Sequence, residues 1–550
     1  MRPIVFAFVL CLSLAASWGA RAKDVLTIGI TQFPANFHPA IESMLAKSYV
    51  LALARRPITA YDASWTLVCM LCTALPTIEN GLARRERTAK GGEGVAVTFT
   101  LRPDAFWADG VPVSTADIVF SWEVGRHPQS GIAAAEIYRR IVAIDVRDAK
   151  TFTLHFDRLT YDYNAMGDFQ PLPAHIERRV FEQAPADYRN RTVYDRDTAN
   201  PGLWNGPYRV VEVVQGSHVA LERNPFWKGR EPAFARIVVV AVENSAALEA
   251  NLLAGGIDMI GGELGLPLEQ AAAFEKRLRG RFQVVFKPGL VYEHINLALD
   301  NPALADRRVR QALLAGLDRA TLCAQLFEGR QPVADGLVPP LDWVHSDDVP
   351  TYPFDPVRAA ALLDDAGWRL VGNIRRDAGG NPLRLELITT AGNRSRELVA
   401  QVLQADWRKL GIDVRLRYQP PRVFFGDTVT RRKFPSMAMF AWYSAPESVP
   451  RISLHSTSIP TAANNWAGEN YGGYVEPRMD ALIDAIETEL DRGRRKGLWA
   501  ELQRLYATDL PELPLYFRAD AHIWPLALKG VVPTGHQDLS TLWVEDWRWE

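Results

Sequence analysis

Cys69-Met70-Leu71-Cys72 is a pair of thiols at a spacing that can do chemistry, as a redox couple or as half of a metal site. No helix start precedes it and no second cysteine pair accompanies it; it lies inside the apolar run Leu67 to Leu75. A strand there would hold the two Cα atoms about 10 Å apart, beyond disulfide reach. Core packing is therefore the favoured reading, ahead of a structural disulfide and then thiol redox chemistry. Catalytic patterns are absent: the chain has no H-E-x-x-H, no G-x-S-x-G, no P-loop and no suitably placed G-x-G-x-x-G. Its histidines are scattered singly, so no metal ligand set and no cofactor is expected. What remains suits binding. Tyr292, His294 and Asn296 alternate with apolar neighbours, so one face of a strand can look into a cleft. Arg451 can grip a carboxylate or phosphate bidentately, or simply sit at the surface. Asn464, Asn465 and Trp466 follow it in a loop of Ser, Thr, Pro and Asn.

Such side chains need a scaffold, and 550 residues suffice for two or three domains with sizeable cores. The formal net charge of −2, with no basic stripe, argues against nucleic acid as a partner. Residues 1–22 read as a secretory leader: Arg2 forms a minimal positive start, Ile4 to Trp18 is apolar, and Ala20-Arg21-Ala22 is an A-x-A cleavage site. A soluble periplasmic protein starting near Lys23 is the expectation. Cys11 follows Leu10 rather than a small residue, which argues against a lipid anchor.

Along the mature chain, Val95 to Leu101 alternates as a half-buried strand, Phe106-Trp107 leads into the turn Ala108-Asp109-Gly110, and Ser114 with Asp117 opens a helix. Ile141 to Val146 and Thr151 to Phe156 form a hairpin closed by Arg147 to Lys150, and Arg84 to Gly94 reads as a charged hairpin tip. Ile237 to Val242 is a buried strand, Ser245 caps a helix through Leu253, and Ile257 to Ile260 is a short strand. Val291 to Leu299 is a further strand. Asp306 to Arg319 reads as one helix, Asp355 caps another, and Leu383 to Thr389, Ser395 to Leu410 and Ile412 to Arg417 give strand, helix and strand. Pro477 to Leu490 and Gly497 to Leu510 are amphipathic helices. This alternation predicts an α/β wound sheet.

The phrase from Thr98 to Phe120 resembles one in the family 5 extracellular solute-binding proteins, the dipeptide/oligopeptide-binding components of ABC importers. Thr98, Phe99, Leu101, Arg102, Trp107, Asp109, Gly110, Pro112, Ser114, Ala116, Asp117 and Phe120 carry the match. The steps Asn205-Gly206-Pro207-Tyr208, Arg223-Asn224-Pro225-Phe226-Trp227 and Asp306 to Arg319 extend it over essentially the whole mature chain. The resemblance implies an α/β two-lobed periplasmic binding protein fold with an extra subdomain in lobe one. Lobe one would take 23–45, 199–290 and 513–550, the insertion 46–198, and lobe two 291–512. It also implies a non-enzymatic monomer that carries a small ligand, by default a short peptide, to an inner-membrane ABC permease. Peptide-binding relatives read W-x-x-D-Y-x-x-P where this chain has Met437 to Pro450. Aligned on Tyr443 and Pro446, Trp442 replaces the aspartate that pairs with a peptide's ammonium. An indole offers a cation–π face in place of a charge. Glu447 is the candidate replacement anchor, and a non-peptide cargo such as an opine, a sugar conjugate or a chelated metal stays open. In the resembled family the lobe-one loop after the first strand comes up beside the ligand, which nominates Gln32, Phe33 and Asn36 here, with an ordinary Pro-bounded turn as the other reading. A periplasmic thiol oxidoreductase or chaperone is the remaining alternative.

Overall fold

The computed structural model describes residues 23–550 apart from 42–43, 90, 133–134, 279, 421–422, 444 and 464–467. The expected leader lies outside the described residues. Ten strands form one mixed sheet that runs through both lobes. Its order is Asp413–Gln419, Arg384–Thr390, Met437–Tyr443, Phe282–Leu297, Glu512–Pro525, Met259–Ile260, Val25–Ile30, Arg236–Ala241, His218–Arg223 and Tyr208–Val214. Val25–Ile30 lies parallel to both Arg236–Ala241 and Met259–Ile260, and Leu26, Ile28 and Ile30 are buried. In the other half Arg384–Thr390 pairs in parallel with Asp413–Gln419, and helix Arg394–Lys409 makes the crossover between them.

Three large cores account for most of the packing. The lobe-one core gathers Leu26, Ile28, Tyr49, Trp204, Tyr208 and Ile237, and Val544 and Trp547 from the tail close it. The lobe-two core joins Ile295, Leu313, Leu387, Trp407 and Met439. A third core, built between Ile58 and Phe169, fills a four-stranded antiparallel sheet that includes Glu93–Thr100 and Thr151–Phe156. Helix Leu45–Ala54 and the aromatic residues Phe181, Tyr188 and Tyr194 pack into the lobe-one core.

The motif stretch from Thr98 to Phe120 is a structural staple. Asp117 caps helix Thr115–Arg126 from inside: one carboxylate oxygen accepts from the Ser114 N–H at 2.8 Å and from the buried Trp107 indole at 3.2 Å. Its other oxygen accepts from the Ala174 N–H at 2.8 Å. One buried carboxylate thus fixes the aromatic turn, the helix start and a distant segment.

Several sequence expectations need correction. Cys69 and Cys72 form a disulfide with Cα atoms 5.3 Å apart. The strand stops at Cys69, and the chain then folds back so that Met70 and Leu71 both donate to the Ile58 carbonyl; the extended geometry assumed over Leu67 to Leu75 does not hold. The charged stretch after Ala83 is not all hairpin tip, since Ala83–Arg87 and Glu93–Thr100 are paired strands. Asp306 to Arg319 is two helices, Arg307–Ala315 and Arg319–Phe327, because the first ends at Gly316 and Asp318 caps the second. Asn244, not Ser245, caps Ser245–Ala254. The last long helix starts at Arg492 under an Asp491 cap, earlier than Gly497. The crossing strand is longer than Val291 to Leu299: it runs Phe282–Leu297 and pairs along most of its length with Glu512–Pro525.

Candidate ligand site between the lobes

Those two long strands are the hinge, where the chain passes from lobe to lobe. Their pairing is interrupted between Pro288 and Tyr292, where the Leu290 N–H turns to the Gly535 carbonyl at 2.9 Å. A Cβ on Gly289 would stand 2.6 Å from the same carbonyl oxygen, so only glycine fits this crossing. Alternation sends Tyr292 and its partner Phe517 to one face of the hinge, and Glu293 and Tyr516 to the other. The Glu293 face borders a space between the lobes, and the Tyr292 face borders a pocket in lobe two.

On the Tyr292 face the side chains form a ring stack. Tyr292 lies 5.2 Å from His294 at an interplanar angle of 11°. His294 lies 5.9 Å from Trp442 at 12°, and Trp442 lies 5.8 Å from Tyr471 at 20°. Trp442 reaches this stack because Met437–Tyr443 pairs with the hinge strand, which puts Trp442 opposite Tyr292. Beneath the stack, buried Glu512 accepts from Asn296 Nδ2 at 2.8 Å and from the Tyr506 hydroxyl at 3.3 Å, and Tyr506 and Tyr292 share a hydroxyl contact of 2.8 Å. Burial pushes the Glu512 carboxyl up to about 7. His294 stays neutral, because burial pushes it down to about 3; its Nδ1 faces the Tyr292 carbonyl at 3.4 Å and its Nε2 has no hydrogen-bond partner.

A cavity of about 430 Å³ lies between the insertion and lobe two, bordered by Tyr61, Tyr161, Asp168 and Asp538 on one side and by Ala445, Ser448 and Glu487 on the other. It shares Ala445, Ser448 and Val449 with a smaller pocket of about 130 Å³ in lobe two, walled by Tyr292, Trp442 and Trp499 with Glu512 among its lining. The lobes touch directly beside the cavity. Tyr161 donates its backbone N–H to the Glu487 carbonyl at 2.9 Å and its hydroxyl to the Glu447 carbonyl, and the Arg495 guanidinium sits 4.8 Å from the Tyr161 ring. On the opposite face of the hinge, a space of about 700 Å³ is lined by Gln32, Glu263, Arg394, Arg518 and Asp520 and by the buried ion pair Glu293–Arg396. Burial and nearby Glu263 push Asp520 up to about 7.

The nominated residues therefore divide. Tyr292, His294, Asn296 and Trp442 come together on one face. Tyr443 ends its strand opposite Val291 in the register. Gln32 lies on the other face, Phe33 packs at the edge of the lobe-one core against Phe37, and Asn36 accepts from Lys47 Nζ at 3.2 Å. Glu447 is engaged in an ion pair with Arg495 and accepts from Trp343 Nε1 at 3.0 Å, so its charge is already matched. Arg451 likewise binds Glu487, at 2.6 Å, and Asp484. Asn465 lies outside the described residues. Glu512 escaped the sequence reading, although an acid at the head of the apolar strand Leu513 to Ala521 was a visible signal. Among the described residues no cluster of His, Cys, Asp and Glu could hold a metal ion, and no helix is long and apolar enough to cross a membrane.

Comparison with known proteins agrees with this architecture. The oligopeptide-binding protein AppA of Bacillus subtilis (strain 168) is 25% identical over 464 residues, covering 82% of this chain and 81% of its own. The nickel-binding periplasmic protein of Escherichia coli (strain K12) is 24% identical over 524 residues, covering 94% of this chain and 93% of its own. The crystal structure of an oligopeptide binding protein from Thermus thermophilus, complexed with a pentapeptide, is 28% identical with a TM-score of 0.72 over 96% of both chains. NikA from Brucella suis, in complex with Fe(III)-EDTA, has the same fold at 22% identity, with a TM-score of 0.76 over 96% of this chain and 100% of its own. Residues 77–461 match the bacterial extracellular solute-binding proteins, family 5. On that match over most of its length, with the two-lobed fold to support it, the chain belongs to the family 5 bacterial extracellular solute-binding proteins.

Proposed function

We propose that the protein captures a short peptide between its lobes and delivers it to an inner-membrane ABC permease. The observation that carries this reading is the cavity of about 430 Å³ between the insertion and lobe two, with direct lobe-to-lobe contacts beside it. That volume falls within the roughly 300–1,000 Å³ typical of small-ligand sites, and suits a short peptide better than a long one. Relatives named for oligopeptide binding, and the pentapeptide complex at 28% identity, support the cargo class. A cleft of this kind works by population shift: ligand contacts to both lobes favour the closed state, which a permease can then recognise. A monomer exported to the periplasm after cleavage near Ala22 completes the proposal.

A second reading, a chelated metal as cargo, is favoured by the nickel-binding relative and the Fe(III)-EDTA complex, and by Trp442 at the place where peptide binders have aspartate. Titration calorimetry with di- to pentapeptides against nickel and iron chelates separates the two. Saturable binding of peptides and none of chelates is the expected result; the reverse would replace the peptide cargo.

A further inference from the structure

We propose that the lobe-two pocket beside Trp442 receives an organic cation, an alkylammonium or guanidinium group of the cargo, held by Glu512 and Glu469 against the rings of Tyr292, Trp442 and Trp499. This deepens the cargo-binding reading and rests on it.

The first ground is the charge of the lining. Among the described residues Asp342, Glu469 and Glu512 line the pocket, and no Lys, Arg or His does. The second is how those acids are partnered. Glu512 accepts from Asn296 and Tyr506, and the Trp442 indole leans toward it; none of the three carries charge. The nearest basic group, His294 Nε2 at 3.7 Å, belongs to a neutral ring. Glu469 is half-buried, and its carboxylate makes no hydrogen bond or ion pair to any described residue; burial alone pushes it up. Asp342 is different, since it accepts from the Glu447 N–H at 2.7 Å and the Val344 N–H at 3.3 Å. Removing carboxylates from water without a counter-charge is costly, and a ligand cation supplies what the chain omits.

The indoles give an independent sign that something binds. Trp499 is 1% exposed, and its Nε1–H has no acceptor. The Nε1–H of Trp442 is also buried and falls short of a well-formed hydrogen bond to Glu512. Two underserved donors at the lining of one pocket call for an acceptor from outside the chain. A cationic nitrogen close to a carbonyl oxygen satisfies acids and indoles together, and the ring faces add cation–π attraction. About 130 Å³ gives room for one side-chain-sized group, and the shared residues Ala445, Ser448 and Val449 connect it to the larger cavity. An anionic chelate meets three acids here and no base.

The test is titration calorimetry on the full mature protein with n-butylammonium, n-butylguanidinium, 1-butanol and butyrate, and with the tripeptides Ala-Lys-Ala, Ala-norleucine-Ala and Ala-Glu-Ala, each free and N-acetylated because the free α-ammonium is itself a cation. Cationic probes should bind roughly tenfold tighter than neutral ones, and anionic probes weakest. Glu512→Gln keeps an acceptor for Asn296 and Glu469→Gln touches no described partner, so both variants should fold, which melting curves check. Each should lower cation affinity by roughly tenfold and leave 1-butanol unchanged. If neutral or anionic probes match the cations, if the variants bind cations as well as the parent, or if neither cation binds either free or within a peptide, the proposal is overturned. Butylammonium binding that depends on Glu512, with no tripeptide bound, keeps the pocket and removes the peptide reading. Tripeptides bound without charge preference, and equally well free or N-acetylated, do the opposite.

Discussion

At the residue scale, two glutamates exchange the roles their positions suggest. Glu447 lies a few residues from the missing aspartate, yet Arg495 and Trp343 occupy its carboxylate, which makes it part of lobe two's own framework. Glu512 lies much further along the chain and has no cationic partner among its hydrogen-bond donors. Its surroundings are Tyr506 on a packed helix, Tyr292, His294 and Asn296 on the hinge strand, and Trp442 beside them. The folded protein holds Glu512 protonated up to about 7, against 4.5 when unfolded, so the folded state binds more protons across that interval. Its contribution to stability is complete below pH 4.5 and fades as the pH rises toward about 7. His294 acts in the other direction: buried and neutral, it costs stability as the pH falls from 6.5 toward about 3. Urea melts of parent and Glu512→Gln at several pH values isolate the first effect. The variant should gain on the parent between pH 4.5 and 7, by up to about 3 kcal/mol. A difference that stays flat with pH would show that Glu512 titrates normally.

At the element scale, the disulfide belongs to the hairpin that borders the cavity. Thr59 pairs with Cys69 and Tyr61 with Leu67, and Thr59, Tyr61 and Leu67 all line the cavity. So short a loop gives a small entropic return, about 2 kcal/mol by the chain-entropy relation. Cys69→Ser/Cys72→Ser should therefore lower stability in urea by about that much while retaining ligand binding. Loss of all binding would place the thiols in the function itself. The same scale shows what the sequence could and could not say. The hairpin Ile141–Val146 and Thr151–Phe156 was legible to the residue, because two alternating runs flank a polar turn. The disulfide was not, because an apolar run looks the same whether it continues straight or turns at Cys69. The break between Arg307–Ala315 and Arg319–Phe327 was masked by the apolar spacing that continues through Leu317, although Gly316 and Asp318 are ordinary stop and start signals. Trp442 was recognisable as a departure from a pattern. That Arg495 neutralises Glu447 depends on how a helix packs against a loop 48 positions away, which local pattern does not encode.

At the scale of the whole molecule, one sheet spans both lobes and the hinge is two of its strands, so lobe motion must be accommodated at the interrupted pairing between Pro288 and Tyr292. Tyr161 joins the insertion to lobe two, through its hydroxyl to the Glu447 carbonyl and its ring beneath Arg495. Tyr161→Ala removes a hydroxyl donor and a ring under Arg495 without touching any lobe's main core. Ligand affinity should fall roughly tenfold, as expected when the closed state loses between one and two kcal/mol. Small-angle scattering of the unliganded variant should show a more open particle. Unchanged affinity and shape would mean that these contacts do not govern closure.

The most direct test of capture between the lobes is native mass spectrometry of the protein purified from the organism that makes it, followed by denaturing extraction of whatever it holds. A ladder of short peptides, one per protein molecule and rich in basic side chains, is the expected result. A single anionic chelate would contradict both the peptide cargo and the cation pocket, and a non-peptide cation would contradict the peptide cargo alone.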